Sequence, residues 1–415
     1  MATRATTQAK KWTWVTNLVS RRGFLAGSAA AAAGTALGAT GGASAANLIS
    51  ASNSETATAK RRIEFFGANQ MGIETPIQAV TNMVTFDLKP ETDRASMLRW
   101  MGLITDDIQR LSVGEPVLAD PSPELAIGPA GFSAYVGFGP SLFRKLGLES
   151  SQPAGFIELP RFQMDQLEDR FSGGDVLIHV AAEDPIALSH ATRSLVRDSI
   201  PFATVRWTQA GFAHAPGVIK SGVTHRNLMG QVDGTMNPQL GSDDFSQVVW
   251  MQDAPEWAIG GTQMVFRRIA MQLDTWDQLG TKSKEEVIGR KLDSGAPLTG
   301  TLETDPADFN ARHPNGLSVI PEFSHIRRAS PNQPIERIFR RPFSYEAGIS
   351  EEGSVDVGLL WCAYQANIEA QFLPIQRRLE EFDLLNKWTV PVGSATFVIP
   401  RGVGPSEVIG EALFS

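Results

Sequence analysis

Strand-like runs alternate with helical periodicity twice along this chain, in the same order, and that alternation limits its folds more than any other feature. Asn82 to Leu88 is rich in β-branched and apolar residues. Asp93 to Leu111 follows, where Met97, Trp100, Met101 and Ile104 recur at helical spacing. A strand at Gly131 to Gly137 and a short helix at Pro140 to Leu146 come next. Asp175 to Ala182 reads as a buried strand. Asp184 then serves as N-cap, with Pro185 at the first position of a helix running through Val196, before a β-rich run at Phe202 to Trp207. This β-α-β, β-α-β order across 63–213 predicts a ferredoxin-like α+β unit. The second half repeats it: a strand at Met264 to Leu273, a helix opening at Thr275 to Leu279, a strand at Gly358 to Tyr364, a helix at Ile368 to Glu381 and a strand at Ser394 to Ile399. Two ferredoxin-like domains with antiparallel sheets are expected, 61–213 and 214–415, packed sheet against sheet or sheet against helix.

The first 45 residues belong to neither unit. A basic, acid-free start (Arg4, Lys10, Lys11) leads to Ser20-Arg21-Arg22-Gly23-Phe24-Leu25, then an Ala/Gly run closing on Ala43-Ser44-Ala45. That pattern predicts a twin-arginine signal peptide, read by the twin-arginine export machinery, with cleavage after Ala45. Glycines and threonines interrupt the run, so it is too weakly apolar for a membrane anchor, and no other segment suits a span. Cleavage removes five basic and no acidic residues, taking the net charge from −8 to −13. Residues 46–60 form a polar, flexible linker. The expected location is outside the cytoplasmic membrane, in periplasm or medium. An acidic chain without a basic stripe is not a nucleic-acid binder. A single cysteine, Cys362, excludes internal disulfides and CxxC sites. None of the six histidines forms a metal-binding pair of the HxH or HExxH kind.

The chemistry gathers at Arg226 to Pro238, where Asp233 stands between Gly230 and Gly234 in a segment too rich in Gly, Asn and Pro for a helix or a central strand. A carboxylate so framed is either a turn residue or a group held where backbone and ligand approach closely. Downstream come Ser324-His325-Ile326-Arg327-Arg328, Ile338-Phe339-Arg340-Arg341 and Gly358-Leu359-Leu360-Trp361. The histidine lies on a Gly/Pro/Asn-rich stretch, Pro297 to Arg341, of a length that in compact domains is usually functional or disordered. Together with Thr92-Asp93-Arg94-Ala95, Val136 to Pro140, Gly260-Gly261-Thr262, Asp274-Thr275-Trp276 and Gln371 to Gln376, these segments resemble the dye-decolourising peroxidases in order, from Ile63 to the C-terminus.

That resemblance implies a dimeric α+β barrel-like fold whose pocket for haem b (iron protoporphyrin IX) lies mainly in the C-terminal domain. It implies hydrogen peroxide as oxidant, a ferryl intermediate, and bulky phenolic or dye-like electron donors. His325 is then the proximal iron ligand and Asp383 the acid that orients it. Asp233 shuttles the peroxide proton. Arg340 stabilises charge as the O–O bond breaks, with Arg341 the alternative assignment. Gly234, Thr235 and Met236 line the haem edge with Ser330, Pro331 and Asn332, and Arg327 pairs with a propionate. Leu359 and Trp361 cover the distal pocket. The family typically has Phe where Trp361 stands, so this indole is either a core aromatic or an oxidisable group. Two further readings follow: a deferrochelatase-like role beside a ferrous-iron uptake system, and a haem carrier. Homodimerisation is a further expectation.

Overall fold

The computed structural model describes residues 60–415 except 127, 221, 350–352 and 354, so the expected signal peptide and nearly all of the linker lie outside the described residues. Four strands come from the first half: β1 (Val80–Leu88), β2 (Ser133–Phe138), β3 (Val176–Ala182) and β4 (Ala203–Phe212). Five come from the second: β5 (Thr262–Met271), β6 (Phe339–Arg340), β7 (Phe343–Ile349), β8 (Val355–Gln365) and β9 (Thr389–Ile399). They form one sheet in the order β5-β9-β2-β3-β1-β4-β7-β8, with β8 pairing back onto β5 to close a barrel and β6 attached to β8. Each half supplies four neighbouring strands, β2-β3-β1-β4 and β7-β8-β5-β9, all antiparallel.

The expected α+β class with antiparallel sheets is therefore what the chain adopts. The halves do more than pack face to face, however. They also join edge to edge, through Phe138↔Val398 between β2 and β9 and Phe212↔Ser344 between β4 and β7. Closure leaves neither junction as an unpaired edge. Inside the barrel, Tyr135, Leu177 and Trp207 of the first half meet Phe266, Leu360, Tyr364 and Phe397 of the second.

Helices α1 (Arg94–Ser112), α2 (Pro140–Leu146) and α3 (Pro185–Ser199) belong to the first half. Asp93 caps α1 by accepting from the Ser96 N–H at 2.8 Å, and Asp184 caps α3 through Ala187 at 2.7 Å, each satisfying a donor the helix leaves unpaired. Fully buried Trp100 donates its indole N–H to Ser199 Oγ at 3.1 Å, tying α1 to α3. Its truncation to Ala costs about 3–5 kcal/mol, as for other buried aromatics.

The second half departs from expectation in its helices. It contains α4 (Asp243–Val249), α5 (Leu273–Trp276), α6 (Thr281–Ile288), α7 (His325–Ala329), α8 (Leu373–Phe382) and α9 (Glu411–Phe414). The helix expected at Thr275 is a single turn, and Gly280 starts a second helix as its N-cap. The helix expected from Ile368 opens as a wide π-type turn, Ile368–Phe372, before α8. Pro374 explains this: it has no N–H to continue the ladder, and its ring crowds the carbonyl four residues back. Within the long loop 297–341, the short helix α7 begins at His325 itself.

Candidate active site

His325 is held from below by a carboxylate. Its Nδ1 lies 2.6 Å from Asp383 Oδ2, while Asp383 Oδ1 accepts from the Leu385 N–H at 2.9 Å. Asp383 sits where α8 ends and a 3₁₀ turn, Leu384–Lys387, begins. The Leu384 N–H donates to the Phe323 carbonyl at 3.0 Å, joining that turn to the chain before α7. The carboxylate is almost wholly buried, whereas the imidazole keeps 30% of its surface exposed. Burial disfavours the imidazolium, but the Asp383 charge and hydrogen bond outweigh it and raise the His325 pKa above its ordinary value. With Nδ1 engaged as donor, Nε2 is the nitrogen available for ligation.

Near it stands a second charged pair. Arg340 Nη1 donates to Asp233 Oδ1 at 3.1 Å, and both groups are felt electrostatically by His325. Period-two alternation decides which arginine faces Asp233. Phe339 belongs to the barrel interior, so Arg340 points out and Arg341 points back in. Buried Arg341 donates to Gln78 Oε1 and to the Thr75 and Pro76 carbonyls, within the first half of the chain. The same alternation on β8 sends Leu360, Cys362 and Tyr364 inward and Leu359 and Trp361 outward. Leu359 packs with Met229, Met271 and Trp276, and the Trp361 ring tilts against Phe372 at 5.7 Å.

The loop carrying Asp233 is braced along its length. Its N–H donates to the His225 carbonyl at 2.9 Å, and its Oδ2 lies 3.4 Å from Asn227 Nδ2. Asn227 Oδ1 accepts from the Met229 and Gln231 N–H groups, so this asparagine closes the turn as well. Gly234 follows at φ 124°, a conformation closed to L side chains. Glu303 Oε1 accepts from both Thr224 (2.6 Å) and Thr235 (2.8 Å). Burial pulls the His225 pKa down, with the Asp233 charge acting against it. Asn227, His225 and Glu303 are residues that the sequence reading missed. Asn227 lies within the segment singled out and His225 directly before it, whereas nothing local marked Glu303.

The remaining expected residues divide. Gly234 and Thr235 follow directly after Asp233, and Met236 is exposed to 69%. Arg327 has a different partner set from the one expected. Its Nε and Nη2 bond the Ile320 and Phe309 carbonyls, and Nη1 lies 3.4 Å from Glu322, so the guanidinium braces the loop. Ser330 donates to the Ile326 carbonyl at 2.7 Å and ends α7, with Pro331 and Asn332 exposed beyond it.

The barrel thus brings an Asp–Arg pair within electrostatic reach of a carboxylate-bound histidine. The Dyp-type peroxidase N-terminal family model matches residues 70–213 and the C-terminal model residues 224–404; the chain belongs to this family. It is 36% identical to a dye-decolorizing peroxidase of Thermobifida fusca over 404 residues, 92% of this chain and 94% of that protein. It is 33% identical to a deferrochelatase of Yersinia pestis, over 82% of this chain and 81% of the other. The crystal structure of the oxyferrous complex of DtpA from Streptomyces lividans superposes with a TM-score of 0.83 at 36% identity, covering 87% of this chain and 99% of DtpA.

Proposed function

We propose that this chain is an exported haem peroxidase that reduces hydrogen peroxide and draws electrons from bulky phenolic or dye-like donors. The observation that carries the reading is the pairing of Asp233 with Arg340 within electrostatic reach of His325. A haem carrier needs neither the acid nor the arginine. The residues fit the group: His325 has one nitrogen fixed by buried Asp383 and a ring still partly exposed, the donor set of a proximal imidazole. Outward-facing Leu359 and Trp361 supply apolar wall. Haem b, when bound, supplies the redox-active iron that accepts peroxide.

Among the described residues Asp233 Oδ2 has only the long contact to Asn227, which would leave this oxygen to take the proton from peroxide and return it to the departing oxygen. Arg340, permanently cationic, holds Oδ1 and stabilises negative charge on the departing oxygen. Asp383 keeps His325 in the tautomer that presents Nε2. Two electrons are then returned by donors one at a time. The motif Arg21-Arg22 with Ala43-Ser44-Ala45 supports twin-arginine export, which carries proteins already folded around a cofactor.

The similarity to a deferrochelatase favours a second reading, release of iron from haem beside a ferrous-iron uptake system. One experiment separates the two. Purified holoprotein is followed by absorption with peroxide and a phenolic donor, and separately with a reductant alone. Peroxide-dependent turnover with the haem spectrum recovered supports the peroxidase. Porphyrin freed of iron under reductant, without peroxide turnover, overturns it.

A further inference from the structure

The Asn237 side chain grips the main chain of Arg340 from both sides. Its Nδ2 donates to the Arg340 carbonyl at 2.7 Å, and its Oδ1 accepts from the Arg340 N–H at 3.0 Å. A single amide thus completes both backbone hydrogen bonds of one residue, as a neighbouring strand does. Such help is needed here. β6 is only two residues long, pairs with β8 through Phe339↔Tyr364 and Arg340↔Ala363, and among the described residues has no strand on its other side. Asn237 is itself fixed, because its N–H donates to the Gly234 carbonyl at 2.9 Å and buried Pro238 follows. Asp233 stands one residue before Gly234, so the turn that presents the carboxylate also carries the clamp that presents the guanidinium.

We propose that Asn237 is a positioning residue for the peroxide reaction, setting the Arg340 guanidinium at its working distance from Asp233; this rests on the distal roles given above. Asp233 and Arg340 are far apart in sequence, and their direct bond is one 3.1 Å contact between side chains. The clamp removes backbone freedom from one partner relative to the other. Misplacing a catalytic group by about 1 Å costs up to about 10²-fold in rate.

The test measures the second-order rate with peroxide by stopped flow, on holoenzyme. Asn237→Ala is expected to slow it by about 10-fold to 10²-fold, with haem content and the His-ligated spectrum retained. In an Arg340→Leu background the same change should cost nothing more, because the clamp then has no guanidinium to place. Asn237→Asp adds a signature that a scaffolding role does not produce. A protonated carboxyl offers one donor and one acceptor like the amide, whereas a carboxylate offers acceptors only and faces the Arg340 carbonyl. The rate of Asn237→Asp relative to the parent at each pH should therefore be near one in acid and fall to the alanine level as that carboxyl ionises. A parent-like rate for Asn237→Ala, an equal cost in both backgrounds, or a flat ratio for Asn237→Asp overturns the inference. If Arg340→Leu by itself leaves the rate unchanged, the distal reading fails instead, and the two failures are told apart.

Discussion

His325 and Asp383, 58 residues apart in sequence, meet Nδ1 to Oδ2 at 2.6 Å on a carboxylate whose other oxygen is already held by the Leu385 backbone. The histidine is thus oriented by an acid that cannot itself turn away. Asp383→Asn is expected to weaken haem retention by about 10–100-fold, as loss of an outer partner does at other metal sites. Haem transfer to an excess of an apo-globin scavenger reads this directly. Transfer no faster than from the parent shows that the carboxylate does not tune the ligand.

The distal pair should separate by magnitude. Asp233→Asn removes the proton acceptor and is expected to slow the reaction with peroxide by about 10²–10⁴-fold. Arg340→Leu removes charge stabilisation and should cost about 10²–10³-fold. Both variants keep His325 and should load haem normally. Stopped-flow rates that hold for Asp233→Asn and collapse for Arg340→Leu assign the chemistry to the arginine and leave the aspartate a structural part.

Arg341, next in sequence, gives the opposite expectation. Replacing it by Met removes the donor from buried Gln78 Oε1 and from the Thr75 and Pro76 carbonyls, which lie on a partly exposed segment before β1. A loss of about 1–3 kcal/mol in unfolding free energy is expected for the one buried acceptor, Gln78 Oε1, reduced by relief of the buried charge. Urea unfolding measures it. The peroxide rate of the folded variant should match the parent. A variant of normal stability that has lost its reaction with peroxide contradicts the in–out assignment of the two arginines.

A pH effect on stability follows from Asp107 on α1. Burial, together with the hydrogen bond and negative charge of Asp198 on α3, raises its pKa from 3.8 to about 8, with Asp106 adding to the rise and Arg197 opposing it. Between those two values the folded chain holds a proton that the unfolded chain has lost. Stability from this group is full below the unfolded value and declines as pH rises towards about 8. The melting temperature of Asp107→Asn should depend less on pH across that window than the parent's. Parallel curves mean that the carboxyl is not protonated in the native state.

Much of this fold is legible in the sequence for identifiable reasons. β2 and β3 are buried along their whole length, so they read as continuous apolar runs, and α1 and α3 carry their own caps. β7 escaped notice because its second half, Glu346 to Ile349, is exposed and shows no alternation. Barrel closure is a property of edges that meet only in three dimensions, through register pairs such as Ile269↔Leu359, which no local pattern encodes. The candidate site was legible where side chains meet side chains within known motifs. It was not legible where a side chain meets main chain, as Asn237 does at Arg340, because a backbone partner leaves no mark on residue identity.

Closure of the sheet also governs how this protein can be taken apart. Cut between the halves, each would expose two raw strand flanks, β2 and β4 on one piece and β7 and β9 on the other. The chain is in this sense a covalently fused pair, and only one member of the pair, the second, brings both His325 and the Asp233–Arg340 couple.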